Sequence, residues 1–192
     1  LRTILTRFRL QLALIEDSAD VDALKKDVDD MNRMLEGYLA FARGDSGEAT
    51  AETDIDVLLR EIGREVKVSG HELRMTFTGE PVVKVRPQGF KRCIVNLVKN
   101  ACRHAETVAV TGAHEAGLLT ITVDDDGPGV PVEEREAIFR PFYRLDEARN
   151  IDESGTGLGL SIARDIARSH GGDITLDASP LGGLRVTVTI PA

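Results

Sequence analysis

The chain has 192 residues, enough for one large domain or two small ones. Its 42% hydrophobic and 29% charged content suit an ordinary folded protein, while 4% aromatic content and no Trp require a mostly aliphatic core. A net charge of −8, with no Lys/Arg stripe among aromatics, speaks against a nucleic-acid surface, and no apolar run approaches the roughly 18 residues that cross a bilayer.

The chain opens at Leu1-Arg2-Thr3 already in helical pattern, with no initiator Met and no signal peptide, so a piece of a longer protein is expected. Leu1, Leu5, Phe8, Leu12 and Ile15 alternate steps of four and three. Val21, Leu24, Val28, Met31, Leu35 and Tyr38 do the same. Each set is a heptad seam, and the short polar joint Asp17–Asp20 predicts an antiparallel hairpin over 1–46. Two helices leave one side of their seam open, so a second copy is expected to close it as a four-helix bundle.

Gly44 to Thr53 is rich in Gly, Glu and Ala with almost nothing to bury, which predicts a linker ending over 47–53. A second domain is then expected over 54–192. Its predicted order is helix (56–66), strands (72–78 and 82–85), helix (87–104), strands (107–112 and 118–124), a long loop, helix (158–170) and strands (173–178 and 184–190). His170-Gly171-Gly172 is a helix stop signal. Helices and antiparallel strands mix without regular βαβ alternation, so the class is α+β: an α/β sandwich whose mixed sheet carries helices on one face. Cys93 and Cys102 fall nine residues apart in one predicted helix, about 13 Å along its axis, and cannot bridge there. A reducing compartment is expected.

Three places carry chemistry. On the 87–104 helix, Phe90, Ile94, Leu97, Val98 and Ala101 make an apolar face, while Arg92, Asn96, Asn100, Arg103 and His104 share another. Two Asn four apart are poor helix formers, but their amide oxygens suit Mg²⁺ shared with substrate phosphates; a solvated face would look similar. Asp124-Asp125-Asp126-Gly127-Pro128-Gly129 follows an apolar strand, and its glycines let backbone approach a ligand closely. An Asp there can accept from an exocyclic amine; the competing reading is an acidic turn, and no Glu closes a Ca²⁺ loop. Gly155-Thr156-Gly157-Leu158-Gly159-Leu160 opens a helix and frees amides for phosphate oxygens. It lacks the Lys of a P-loop and follows no βαβ strand. Between the last two, Phe139-Arg140-Pro141-Phe142 precedes a polar run, 145–154, that reads as a mobile lid or an ordinary loop.

Asn96 and Asn100, Asp126 with Gly127 and Gly129, Phe139 and Phe142, and the 155–160 glycine run resemble the N, G1, F and G2 boxes of sensor histidine kinases, in order and close to their spacing. Leu1 to Thr6 resembles the end of that family's H box. The resemblance spans essentially the whole chain. It implies a Bergerat-type ATP-binding domain with ATP and Mg²⁺ as cofactors, Asn100 as metal ligand and Asn96 beside it. It gives Asp126 the adenine amine, Arg103 the terminal phosphates and His104 the adenine-packing position. Gly127, Gly129, Gly155, Thr156, Gly157, Leu158 and Gly159 would shape pocket and lid, Phe139 and Phe142 would seat the lid, and Thr3 would orient a water in dephosphorylation. It further implies a homodimer through the hairpin, a response-regulator receiver domain as partner, a cytoplasmic location, and membrane attachment only through upstream segments.

Two departures stand out. The family's phosphoaccepting His would lie two residues before Leu1, and none of His71, His104, His114 or His170 falls in the hairpin. Ile4 replaces the usual Pro, so a straighter first helix is expected. The rival readings are an ATPase or serine kinase of the same superfamily, and a dimeric phosphotransfer adaptor that does no catalysis.

Overall fold

The structure, a computed structural model, describes residues 47–67, 72–145 and 157–192, together with Leu24, Val28 and Met31. Those three are helical, with Val28 buried and Leu24 and Met31 exposed. The rest of the expected hairpin, its dimer, Thr3 and the effect of Ile4 lie outside the described residues, as do Gly155, Thr156 and the lid stretch 146–154.

The first described element departs from expectation. Residues 51–53, read as the end of a linker, belong to strand β1 (Ala51–Asp54), antiparallel to β3 (Val82–Val85). β1 buries almost nothing and is held by backbone pairing, so a hydrophobic pattern could not betray it. Asp54 ends it and caps α1 (Ile55–Lys67), its Oδ1 accepting from the Val57 amide at 2.9 Å. Ile55, Leu58, Leu59, Ile62 and Val66 recur at helical spacing and form the buried stripe of α1.

Helix α2 (Pro87–His104) carries Pro at its first turn, where the missing N–H costs nothing. Arg86 ahead of it supplies no side-chain cap. The cap comes from Glu48 instead, whose two carboxylate oxygens accept from the Gln88 and Gly89 amides at 2.7 and 2.9 Å. The Arg86 amide donates to His170 Nε2 at 3.1 Å, so the ring proton sits on Nδ1, which donates to the Ile166 carbonyl at 2.8 Å. His170 thereby joins the end of α3 (Gly159–Ser169) to the start of α2. α3 stops as its sequence predicts: Gly171 has φ +83°, its amide reaches the Arg168 carbonyl, and the Gly172 amide reaches that of Ala167.

The main sheet has order β2-β4-β5-β7-β6. β2 (Glu72–Gly79) runs parallel to β4 (Thr107–Glu115), and β5 (Leu118–Asp125), β7 (Leu184–Pro191) and β6 (Asp173–Ala178) follow antiparallel. The mixed sheet with helices on one face is as expected. The inner face buries Val108, Val110, Leu119, Ile121, Val123, Val186, Val188 and Ile190 against Phe90, Ile94, Leu97 and the stripes of α1 and α3. The outer face is polar: Thr76, Thr111, Thr122, Thr187 and Thr175 form one row across all five strands.

β4 runs to Glu115, not to Gly112, because it closes on β5 through a two-residue turn, Ala116-Gly117, with both φ positive (51° and 75°). That turn favours Asn-Gly, and Ala in its first place hid it from the sequence reading. Ala116→Asn should stabilise the fold by up to about 1 kcal/mol, seen as a higher thermal midpoint. An unchanged or lower midpoint would count against this account of the turn.

Candidate functional site

Helix α2 organises the site because its two faces do different work. One buries Phe90, Cys93, Ile94, Leu97, Val98, Ala101 and Cys102. The other leaves Asn96 and Asn100 partly buried, with Arg103 and His104 exposed at its last turn. The Asn96 Nδ2 is buried and finds no hydrogen-bond partner among the described residues. An orphaned buried amide costs about 1–3 kcal/mol and is the kind of group that a ligand satisfies.

At the His104 end, the turn after β5 packs so closely that a Cβ on Gly127 would come within 2.6 Å of the His104 carbonyl oxygen. The three aspartates leading into this turn have three different tasks. Asp124 faces outward and pairs with Arg185 across the sheet, with two contacts of 2.8 Å. Asp125 faces inward and is buried, its Oδ1 accepting from the Gly127 and Leu184 amides at 3.0 and 2.9 Å. Its Oδ2 has no hydrogen bond among the described residues. Burial pushes the Asp125 carboxyl above the ordinary range, against the pull of the Leu184 and Gly127 amides and of nearby His104. Asp126 is exposed, and its Oδ1 accepts from the Glu106 and Thr107 amides at 2.9 and 3.0 Å. Those bonds, Thr107 first, hold it below the ordinary range. A hollow of about 500 Å³ opens here, lined by Cys102, Arg103, His104, Ala105, Glu106 and Asp126.

At the Asn96 end lies the start of α3. A Cβ on Gly159 would sit 4.0 Å from the Asn96 carbonyl oxygen, and the Cys93 thiol donates to the Ala163 carbonyl at 3.4 Å. Leu158 precedes the helix and gives it no side-chain cap. Two short 3₁₀ turns, Val132–Glu134 and Ala137–Phe139, lead to a tight bend against Gly157. The Phe142 amide donates to the Gly157 carbonyl at 3.0 Å, and a Cβ on Gly157 (φ +67°) would strike the Phe142 backbone at 2.9 Å. Phe142 itself holds φ +65° and is exposed, an uncommon backbone for an aromatic residue. Phe139 is buried.

α2 therefore brings Asn96, Asn100, Arg103, His104, Gly127 and Gly159 to one side of the molecule, with Gly157, Leu158, Phe139 and Phe142 adjoining at the α3 end. Asn96 and His104 are two helical turns apart, about 12 Å at 1.5 Å per residue. Gly129 stands a little away, where a Cβ would meet Gly183 at 3.4 Å. Asp126 lines the hollow, but with one carboxylate oxygen already engaged. Its Oδ1 takes the amides that start β4, and the Asp-x-Gly-x-Gly spacing of the box begins one residue earlier, at Asp125. Gly183 and Leu184, which close on Asp125 from the β6–β7 turn, carry no local sequence signal. Among the described residues no group of three or more His, Cys, Asp or Glu is placed to hold a metal. A cation here would need amide oxygens and the ligand's own phosphates, which is the habit of Mg²⁺.

Residues 85–192 match the family model "Histidine kinase-, DNA gyrase B-, and HSP90-like ATPase". The whole chain aligns with 44% of the sensor histidine kinase CpxA of Escherichia coli (strain K12) at 36% identity over 203 residues. It therefore spans less than half the length of that relative. Among solved structures, the ATP-binding domain of PrrB from Mycobacterium tuberculosis matches at 27% identity with a TM-score of 0.61, over 76% of this chain and 98% of that one. Full-length ShkA in complex with AMPPNP shares the fold, with a TM-score of 0.76 at 23% identity over 99% of this chain and 45% of that one. No helix among the described residues is long and apolar enough to cross a membrane.

Proposed function

Because the chain belongs to the family of histidine kinase-, DNA gyrase B- and HSP90-like ATPases, we propose that it is the nucleotide-binding part of a sensor histidine kinase and takes Mg-ATP along the polar face of α2. The observation that carries this is the reach of one helix. Its end packs under the glycine turn that follows the buried acceptor Asp125, and its middle lies against the uncapped start of α3. The first is suited to a base with an exocyclic amine, the second to phosphates drawn by free amides and the helix dipole. We assign the adenine amine to Asp125 Oδ2, with His104 at the edge of the base. The amides after Gly157 would hold phosphate oxygens, and Arg103 would face the terminal phosphates.

The donor set fits Mg²⁺: Asn100, with Asn96 beside it, offers amide oxygens of the hard kind that this ion shares with phosphates. The ion would supply charge neutralisation on the phosphates. The chain's own part is to fix the nucleotide so that its γ-phosphorus lies open to an incoming imidazole nitrogen. A nitrogen–phosphorus bond then forms as the bond to the bridging oxygen breaks, and ADP leaves with that electron pair. On this reading the acceptor is a His two residues before the position of Leu1, on a dimeric hairpin. The phosphoryl group then passes to an Asp of a receiver domain, and Thr3, by sequence resemblance alone, matches the family residue that orients a water when that phospho-Asp is hydrolysed.

Titrating the chain with ATP in a calorimeter, with and without Mg²⁺, tests the reading. Asn100→Ala should lose the Mg²⁺-dependent part of the affinity, at least about tenfold. Undiminished Mg-ATP affinity in that variant rejects the metal role. ATP hydrolysis without phosphohistidine, in a protein extended upstream, would favour the ATPase alternative.

A further inference from the structure

Arg164 lies outside every box named above, on the second turn of α3, yet its side chain is only 14% exposed. Its guanidinium carbon sits 4.2 Å over the centroid of the Phe139 ring. Nη1 donates to Glu136 Oε1 at 2.7 Å and Nε to Asp173 Oδ1 at 3.0 Å. Asp173 also takes two bonds from Arg168, so the anchor on β6 is itself held. The Arg164 and Arg168 bonds, acting against burial, keep Asp173 down to about 2.

Phe139 ends the second 3₁₀ turn, and three residues on, the Phe142 amide is bound to the Gly157 carbonyl. The bend 139–142 is thus fastened at one end by Arg164 and at the other by the residue two before α3. We propose that Arg164 is a positioning residue for the phosphate end of the nucleotide site: it clamps Phe139 so that the bend holds Gly157 and the first amides of α3 in place. Without it the Phe139 ring loses its upper face, the bend is free to shift, and Gly157 moves with it. The adenine end rests on α2 and Asp125, which Arg164 does not touch, so the two halves of the nucleotide should respond differently. This inference rests on the ATP-binding reading.

The test is calorimetric binding of ATP and, separately, of adenosine to Arg164→Met and Arg164→Lys, alongside the unaltered chain. Arg164→Met keeps bulk and loses the charge and the planar stack. It should weaken ATP roughly tenfold and leave adenosine unchanged within about twofold. Arg164→Lys keeps a cation for Glu136 and Asp173 but not the flat fork. It should give a loss of about threefold for ATP alone, and it stands in should the Met variant not fold. ATP and adenosine falling together would show a merely structural residue and overturn the proposal, and so would unchanged ATP affinity in both variants. An unaltered chain that binds neither ligand would instead sink the ATP-binding reading itself.

Discussion

Asp125→Asn should strip the protein of ATP while leaving it folded, with affinity down about a hundredfold or more by calorimetry. The substitution is informative because it changes one atom's sign. The Asn carbonyl can still accept from the Gly127 and Leu184 amides, as Asp125 Oδ1 does. Its NH₂ then replaces Oδ2, so a donor faces the donor amine of the base, and both are left unpaired in a buried place. Stability should hold or rise, since burial disfavours the charge that the substitution removes. Asp126→Asn should change affinity by no more than about threefold, because that carboxylate is exposed and serves the start of β4.

The same carboxyl sets a pH dependence. Asp125 is raised in the folded protein, so it takes its proton at a higher pH than an exposed Asp. Its burial weakens the fold at neutral pH, and that cost is relieved as pH falls through the raised value. Asp126 works the opposite way, stabilising above the ordinary Asp range and losing that contribution as pH drops through its lowered value. Nucleotide affinity should therefore decline with falling pH before the protein unfolds. Affinity that survived until the unfolding pH would remove Asp125 from the site, as would a loss of binding in Asp126→Asn alone.

Gly183→Ala should cost about 2–4 kcal/mol in thermal unfolding and abolish detectable ATP binding. A methyl group there would lie 2.1 Å from Asp125 Oδ1, 2.5 Å from the Gly127 nitrogen and 2.7 Å from the Asp125 carbonyl oxygen. None of these can step aside: the carboxylate is held by two amides, and the Asp125 carbonyl accepts from Gly183 itself at 3.0 Å. Gly182→Ala is the matched control. It has open space around it and strains only the backbone at φ +110°, so binding should survive a modest loss of stability. Equal damage from both would show that the crowding at Asp125 is not the cause.

The legible parts of this protein are those whose cause is local. Pro87 at a first turn and an unbroken 3.6-residue apolar period gave α2 its bounds, and His170-Gly171-Gly172 marked the stop after α3. The Asn pair and the glycine runs could be read because their residue types make poor helix and strand. What escaped depends on partners far along the chain. β1 exists because β3 lies beside it, and no periodicity announces that. Three aspartates in a row look alike until the pleat of β5 turns one outward and the next inward and the ladder to β4 engages the third. Gly183 matters because β6 and β7 return the chain to Asp125, some 58 residues later in sequence.

The Glu48 carboxylate, 40 residues upstream of the amides it grips, has a mechanical meaning. It bolts the approach to the domain onto the opening turn of the same rod that presents Asn96 and Asn100. A displacement of the chain at Glu48 therefore reaches the first turn of that helix directly. One acidic side chain thus ties the segment ahead of β1 to the rod whose far turns carry the two asparagines.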